Sequence, residues 1–263
     1  MEILINNVNI DFELQNEKKS GEILSALERE LSENYQTICS FQIDDSGTNN
    51  SEFNELLNIP VSSIKRISIH TKPLSEMCLA AIDDLLTEFN ISPPDKKKIE
   101  SKLSYLISIN PRVFGQLKDL IEKGFIREGQ NFLTLLREVL LNPYEYLKDC
   151  ANKLEILLPN LEEIPVFFQT GKDKEVVETI AVFSDLVLNL IRALGLLSSV
   201  AKGILPEKIG ETSFKEFMEE FNSVLVDFTD AFSSGDTVLT GDIAEYEILP
   251  RAGDLIKSLK DIH

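Results

Sequence analysis

The sequence contains no tryptophan, two histidines and three cysteines, and its glycines are scattered. With His70 and His263 the sole imidazoles, a zinc site, a Ser-His-Asp triad or a Cys-His dyad must use one of these two residues, so each is a weak reading. No G-x-x-x-x-G-K-[ST] or G-x-G-x-x-G run occurs, so the backbone cradles that hold nucleotide phosphates are not expected. Cys39, Cys78 and Cys150 are odd in number, far apart and outside any C-x-x-C arrangement, and they read as reduced thiols of a cytosolic protein. Basic residues are scarce too. Lys and Arg total 26 against 44 Asp and Glu, a net charge of −18 and a pI near 4.6. That balance opposes any sequence-independent grip on phosphate backbones or anionic lipid, so nucleic acid is not an expected partner. Met1–Asn6 opens as a strand-like segment with no basic n-region and hydrophobic signal core, which leaves cytoplasmic localisation as the expectation.

What remains is the composition of a globular protein: 263 residues, 43% hydrophobic and 27% charged, with 12 Gly and 10 Pro. Two regions differ in pattern. In residues 1–72, Met1–Ile5 and Val8–Leu14 are β-rich runs around Asn6-Asn7, a pair that tolerates the positive φ of a tight hairpin turn. Ile23, Leu24, Leu27 and Leu31 then form the apolar stripe of an amphipathic helix. Gln36–Ile43 predicts a third strand ending at a turn beginning with Asp44 and Asp45, and Ile64–His70 predicts a fourth.

This β-β-α-β-β order resembles the ubiquitin-like β-grasp fold. The resemblance is of topology, since no free Gly-Gly tail follows His70; it implies a small sheet used for docking or scaffolding, without conjugation or sulphur transfer. Thr71–Pro73 reads as a short, stiff linker.

From residue 73 to 263 the pattern is helical, and the expected fold class is α+β: a small β-grasp-like sheet domain followed by a large all-α helical bundle domain. Ser92-Pro-Pro-Asp95, Asn110-Pro111, Asn142-Pro143, Asn160–Glu163 and Ser213–Glu216 each offer a capping side chain ahead of a helix. Ile180–Ala201 has the length of a membrane span, but Asp185, Asn189 and Arg192 interrupt it along one stripe, so a helix buried in a soluble bundle is expected, without membrane insertion. Ser213–Phe232 carries Phe217, Phe221 and Phe228 on one side, which suits either a core stripe or a homodimer face.

The other side of that helix is acidic. From Gly203 onward 13 acids stand against 5 bases. Glu216, Glu219, Glu220, Asp227, Asp230, Asp242, Glu245 and Glu247 are the candidate partner-binding residues, suited to a protein partner with a basic surface. Asp236, Asp242 and Glu245 are the candidate metal ligands, because hard divalent cations take carboxylate oxygens. No catalytic or cofactor-binding residue is assigned and no cofactor is expected. The segment Asp236–Pro250, D-x-V-x-x-x-D-I-x-E-Y-E-x-x-P, resembles a short signature of poorly characterised bacterial proteins, sometimes found in flagellar or cell-surface gene neighbourhoods. No established activity comes with that resemblance. The residues themselves suggest that Gly241 loosens a helix start, that Tyr246 packs inward and that Pro250 bends or ends a turn.

The functional expectation is therefore a non-enzymatic cytosolic adaptor or assembly factor, with a chaperone-like subtype open. Two alternatives belong to other classes: a divalent-metal-dependent enzyme using the C-terminal carboxylates, and a self-associating structural protein.

Overall fold

A computed structural model describes residues 1–44, 53–91 and 96–262. Asn6 and Asn7 have φ of 50° and 67°, the left-handed pair that a two-residue hairpin turn needs, and they join strand β1 (Glu2–Ile5) to β2 (Val8–Ile10). Asn6 also fastens the hairpin to a distant strand. Its side-chain nitrogen donates to Thr71 Oγ1 at 2.9 Å, and its side-chain oxygen accepts from the Thr71 N–H at 3.0 Å.

Helix α1 (Ser20–Ser32) follows, then β3 (Gln36–Ile43), the short helix α2 (Phe53–Leu56), a 3-10 turn at Val61–Ser63 and β4 (Arg66–Pro73). The sheet order is β2-β1-β4-β3, with β1 and β4 parallel and the other pairs antiparallel. Helix α1 sends Ile23, Leu24 and Leu27 into a core with Ile3, Phe41, Ile43, Ile67 and Ile69 of the sheet. Each such side chain contributes about 1.5–3 kcal/mol when fully buried. The N-terminal mixed sheet followed by helices is the expected α+β class, and its strands and helix α1 come in the expected β-β-α-β-β order along the chain.

Two local readings are corrected here. Strand β2 stops at Ile10 rather than Leu14, because the chain leaves the sheet with Asp11, Glu13 and Leu14 exposed. Thr71–Pro73 is strand rather than linker: Thr71, Lys72 and Pro73 pair with Ile38, Thr37 and Gln36. The turn expected after Asp44 lies, beyond that residue, outside the described residues.

The helices that follow are α3 (Leu74–Phe89), α4 (Lys96–Ile109), α5 (Pro111–Glu122), α6 (Ile126–Leu141), α7 (Pro143–Glu162), α8 (Ile164–Gln169) and α9 (Asp173–Val200). A two-stranded ribbon, β5 (Lys208–Ile209) and β6 (Thr212–Ser213), leads to α10 (Phe214–Ser233). The chain ends in a continuous helical run: α11 (Thr237–Asp242), a π-helical segment at Ile243–Ile248, and α12 (Leu249–Lys260). Two compact units result: residues 1–109 with 199–202, and residues 110–198 with 203–263.

The caps follow local chemistry unevenly. Asn110 accepts from the Val113 N–H at 2.8 Å ahead of Pro111, as expected. Asn142 precedes Pro143 without a side-chain cap bond. Asn160 caps nothing, because α7 continues through Pro159 to Glu162. The Ser92–Asp95 cap lies outside the described residues.

Helix α9 is less enclosed than its composition suggests. It is long and apolar enough to cross a membrane, and 44% of its most apolar window is buried; Val177 and Val182 are exposed. Its polar stripe has a local use. The Arg192 guanidinium lies 4.7 Å from the centre of the Phe132 ring and donates through Nε to Gln116 Oε1 at 2.9 Å. Phe217, Phe221 and Phe228 of α10 are buried, with Phe228 edge-on to Phe183 of α9, so this stripe is core and offers no surface to a second copy.

Candidate docking surfaces

The acidic candidates fall into distinct local roles. Ser213 and Glu216 form a reciprocal capping box at the start of α10: the Ser213 hydroxyl donates to Glu216 Oε2 at 2.7 Å, and the Glu216 N–H donates to Ser213 Oγ at 3.3 Å. The Ser213 hydroxyl, and the Ser213 N–H donating to the same carboxylate oxygen at 3.3 Å, hold the Glu216 carboxyl below its ordinary value. Glu219 pairs with Lys215 at 3.9 Å. Glu220, Asp227 and Asp230 are exposed on the side of α10 opposite the buried Phe residues. Exposed pairs of this kind contribute at most about 1 kcal/mol and are screened by salt.

Asp236 caps α11, accepting from the Leu239 N–H at 2.9 Å. Asp242 is exposed and Glu245 half-buried. Among the described residues no three His, Cys, Asp or Glu side chains gather as a metal-ligand set, so Asp236, Asp242 and Glu245 do not converge.

The terminal helical run has an unusual centre, and Pro250 accounts for it. Proline has no N–H to give the carbonyl four residues back, and its ring would crowd that carbonyl. The backbone widens there: the Leu249 N–H donates to the Ala244 carbonyl, five residues back, and the segment becomes one π turn. Just beyond it, Arg251 donates from Nη1 to the Glu247 carbonyl at 3.0 Å while also pairing with the Glu247 carboxylate.

This run also sets the fate of Tyr246. Ala244, Ile248, Ala252 and Leu255 face the core, and Tyr246 stands two positions from both Ala244 and Ile248, on the opposite side. It is 64% exposed rather than packed inward. The neighbouring Glu245 carboxylate, and to a lesser degree Asp242, raises the pKa of its hydroxyl. Val238 and Leu239 are exposed on the same run, at 72% and 47%. An aromatic ring and two aliphatic side chains are thus displayed among Asp242, Glu245 and Glu247.

Gly241 has a packing role rather than a loosening one. It brings α11 against Pro165 of α8, where a Cβ would stand 3.2 Å from Pro165 Cγ.

The N-terminal unit has its own concave surface. Between α1 and the segment running from β2 to Glu17 lies a groove of about 910 Å³. Sequence reasoning missed it, because Asp11 and Glu13 read as part of a longer strand. His70 and Cys39 are exposed on the sheet, the Cys39 thiol donating to the His70 carbonyl at 3.2 Å. Cys78 and Cys150 are buried, and burial pushes the Cys78 thiol up to about 12.

Comparison with known proteins finds two families of unassigned activity. Residues 1–73 match the TP0873 N-terminal domain, and residues 145–258 match a domain of unknown function, DUF8042. No curated protein and no solved structure matches the chain. The second match covers α11, the π turn and α12 as far as Ser258, so its boundaries enclose Gly241, Tyr246 and Pro250.

Proposed function

We propose that this protein is a non-enzymatic adaptor or assembly factor of the cytosol, which acts by binding a protein partner with a basic surface. The observation that carries the reading is the exposure of Tyr246, Val238 and Leu239 among the carboxylates of Asp242, Glu245 and Glu247. Side chains of this kind anchor protein interfaces when a polar rim surrounds them, and tyrosine is enriched among the residues that dominate binding energy. The acidic rim selects a basic partner and accelerates its approach. The β-grasp-like sheet supports the same reading, since its topological likeness implies a docking module. A chaperone-like action is a subtype of this reading.

The test places a photo-crosslinking amino acid at position 238 in cells, identifies the captured protein, and titrates it in purified form. A Tyr246→Ala, Leu239→Ser double variant is expected to weaken binding at least tenfold. Raising salt from about 0.15 M to about 1 M, which shortens the screening length from about 8 Å to about 3 Å, is expected to weaken it further. A captured protein that binds the double variant as tightly as the native chain, or whose affinity ignores salt, overturns the reading.

A further inference from the structure

The hairpin register decides which backbone groups face outward from the sheet. Ile5 pairs with Val8 and Ile3 with Ile10 across the two-residue turn, so these pairs exchange the ladder bonds while Asn9, opposite Leu4, turns its N–H and carbonyl to the free side of β2. β2 is the last strand of the sheet on that side, and among the described residues neither backbone group of Asn9 has a partner. Beside this edge runs the 910 Å³ groove. Its floor is apolar: Ile10 and Phe12 are partly buried against the core, with Leu27 and Leu31 of α1 facing them. Its rim is acidic. Asp11 and Glu13 line one side and Glu30 and Glu33 the other, all four exposed and none in an ion pair among the described residues, against the single basic Arg29.

Charges on an edge strand normally serve to repel unwanted pairing. Here they border an apolar trough, and the combination selects an occupant instead of excluding every one. We propose that this groove is a second docking site, which takes an extended segment of a partner protein in which apolar residues alternate with Lys or Arg. The segment adds to the β2 edge through the Asn9 N–H and carbonyl. Its apolar side chains, which alternate along a strand, enter the trough over Phe12; its basic ones point the other way, towards Asp11 and Glu13 on either side of Phe12, while Glu30 and Glu33 add attraction at longer range from α1. A second copy of this chain is the wrong occupant, because at −18 each copy repels the other.

This site lies in the other compact unit from the Tyr246 surface, and either can fail alone. The probe is an acetylated, amidated heptapeptide alternating lysine and valine, titrated into the isotope-labelled full chain and followed by amide NMR. The expected result is saturable binding at millimolar peptide or below, with shifts concentrated at Asn9, Asp11 and the α1 face, and slowed amide exchange at Asn9. A Glu13→Lys, Glu33→Lys variant, altered only at exposed positions, is expected to bind at least tenfold more weakly. Tyr246→Ala is expected to bind as the native chain does. No saturable binding, equal binding of the peptide with glutamate in place of lysine, or binding with Asn9 exchange unchanged, as a docked helix would give, each overturns the proposal. So does self-association of the free chain that protects the same amides.

Discussion

Gly241 of α11 and Pro165 of α8 meet so closely that a Cβ on the glycine would stand 3.2 Å from Pro165 Cγ and 3.3 Å from Pro165 Cβ. The proline ring is stiff, and its neighbour Ile164 is fully buried, so α8 has little room to retreat. Gly241→Val is therefore expected to destabilise the protein by about 1–3 kcal/mol, the usual cost of overpacking, despite glycine's poor helix propensity. Urea unfolding of the two proteins measures the difference; an equal or higher midpoint for the variant would refute the contact.

A bond reaching five residues back closes one residue more than an α-helical bond, so the π turn at Ile243–Ile248 behaves as an insertion carried inside a helix. Deleting Tyr246, which is exposed within it, is expected to leave Ala252, Leu255, Ile256 and Leu259 facing the core. Deleting Asp254, exposed in α12, rotates Leu255, Ile256 and Leu259 about 100° away from it. The first deletion, whose cost is that of returning Pro250 to α-helical register, about 3 kcal/mol, is expected to unfold cooperatively at a lowered temperature, and the second to melt lower still. Equal losses would show that the wide turn carries no spare residue.

Ser213 and Glu216 set an acid dependence. Hydrogen bonds from the Ser213 hydroxyl and N–H hold the Glu216 carboxyl below its ordinary 4.5. The unfolded chain then takes up that proton before the folded one does, so the stability this group lends is complete above the ordinary value and is lost as pH falls through the lowered one. The stability gap between the native protein and Glu216→Ala is expected to be constant near neutrality and to shrink below about pH 4.5. A gap unchanged down to pH 3 would contradict the assignment. Ser213→Ala, which removes the cap itself, is expected to cost about 1 kcal/mol.

The thiols differ in access. Cys39 is exposed, while Cys78 and Cys150 are buried, with the Cys78 thiol pushed up to about 12. Since the thiolate is the reactive form, iodoacetamide at pH 8 is expected to label Cys39 promptly and the other two at the rate of global unfolding. Intact and peptide mass spectrometry reads this directly; prompt labelling of Cys78 would mean that α3 opens locally.

Much of the architecture rests on interactions only a few residues long, and those are legible without coordinates. Asn6-Asn7 specifies its turn by tolerating positive φ, Asn110-Pro111 and Ser213–Glu216 announce helix starts, and the Ile23–Leu31 stripe announces a helix laid on a sheet. Asn160 misleads for a related reason: a capping side chain is only an offer, and α7 continued because Leu154, Leu157 and Leu161 were all buried against neighbours.

By itself the sequence determined the α+β class, the β-β-α-β-β order of elements along the first 72 residues, and the exposed acidic flank of α10, because all three follow from local backbone preference and the period of apolar residues. Tertiary structure alone decided that Tyr246 faces outward, that Gly241 is a contact point and that a trough opens between α1 and β2. Each of these depends on which side of an element its distant neighbours occupy. No spacing within one segment encodes that choice; it is made when Pro165 meets α11 and when the chain leaves the sheet at Ile10.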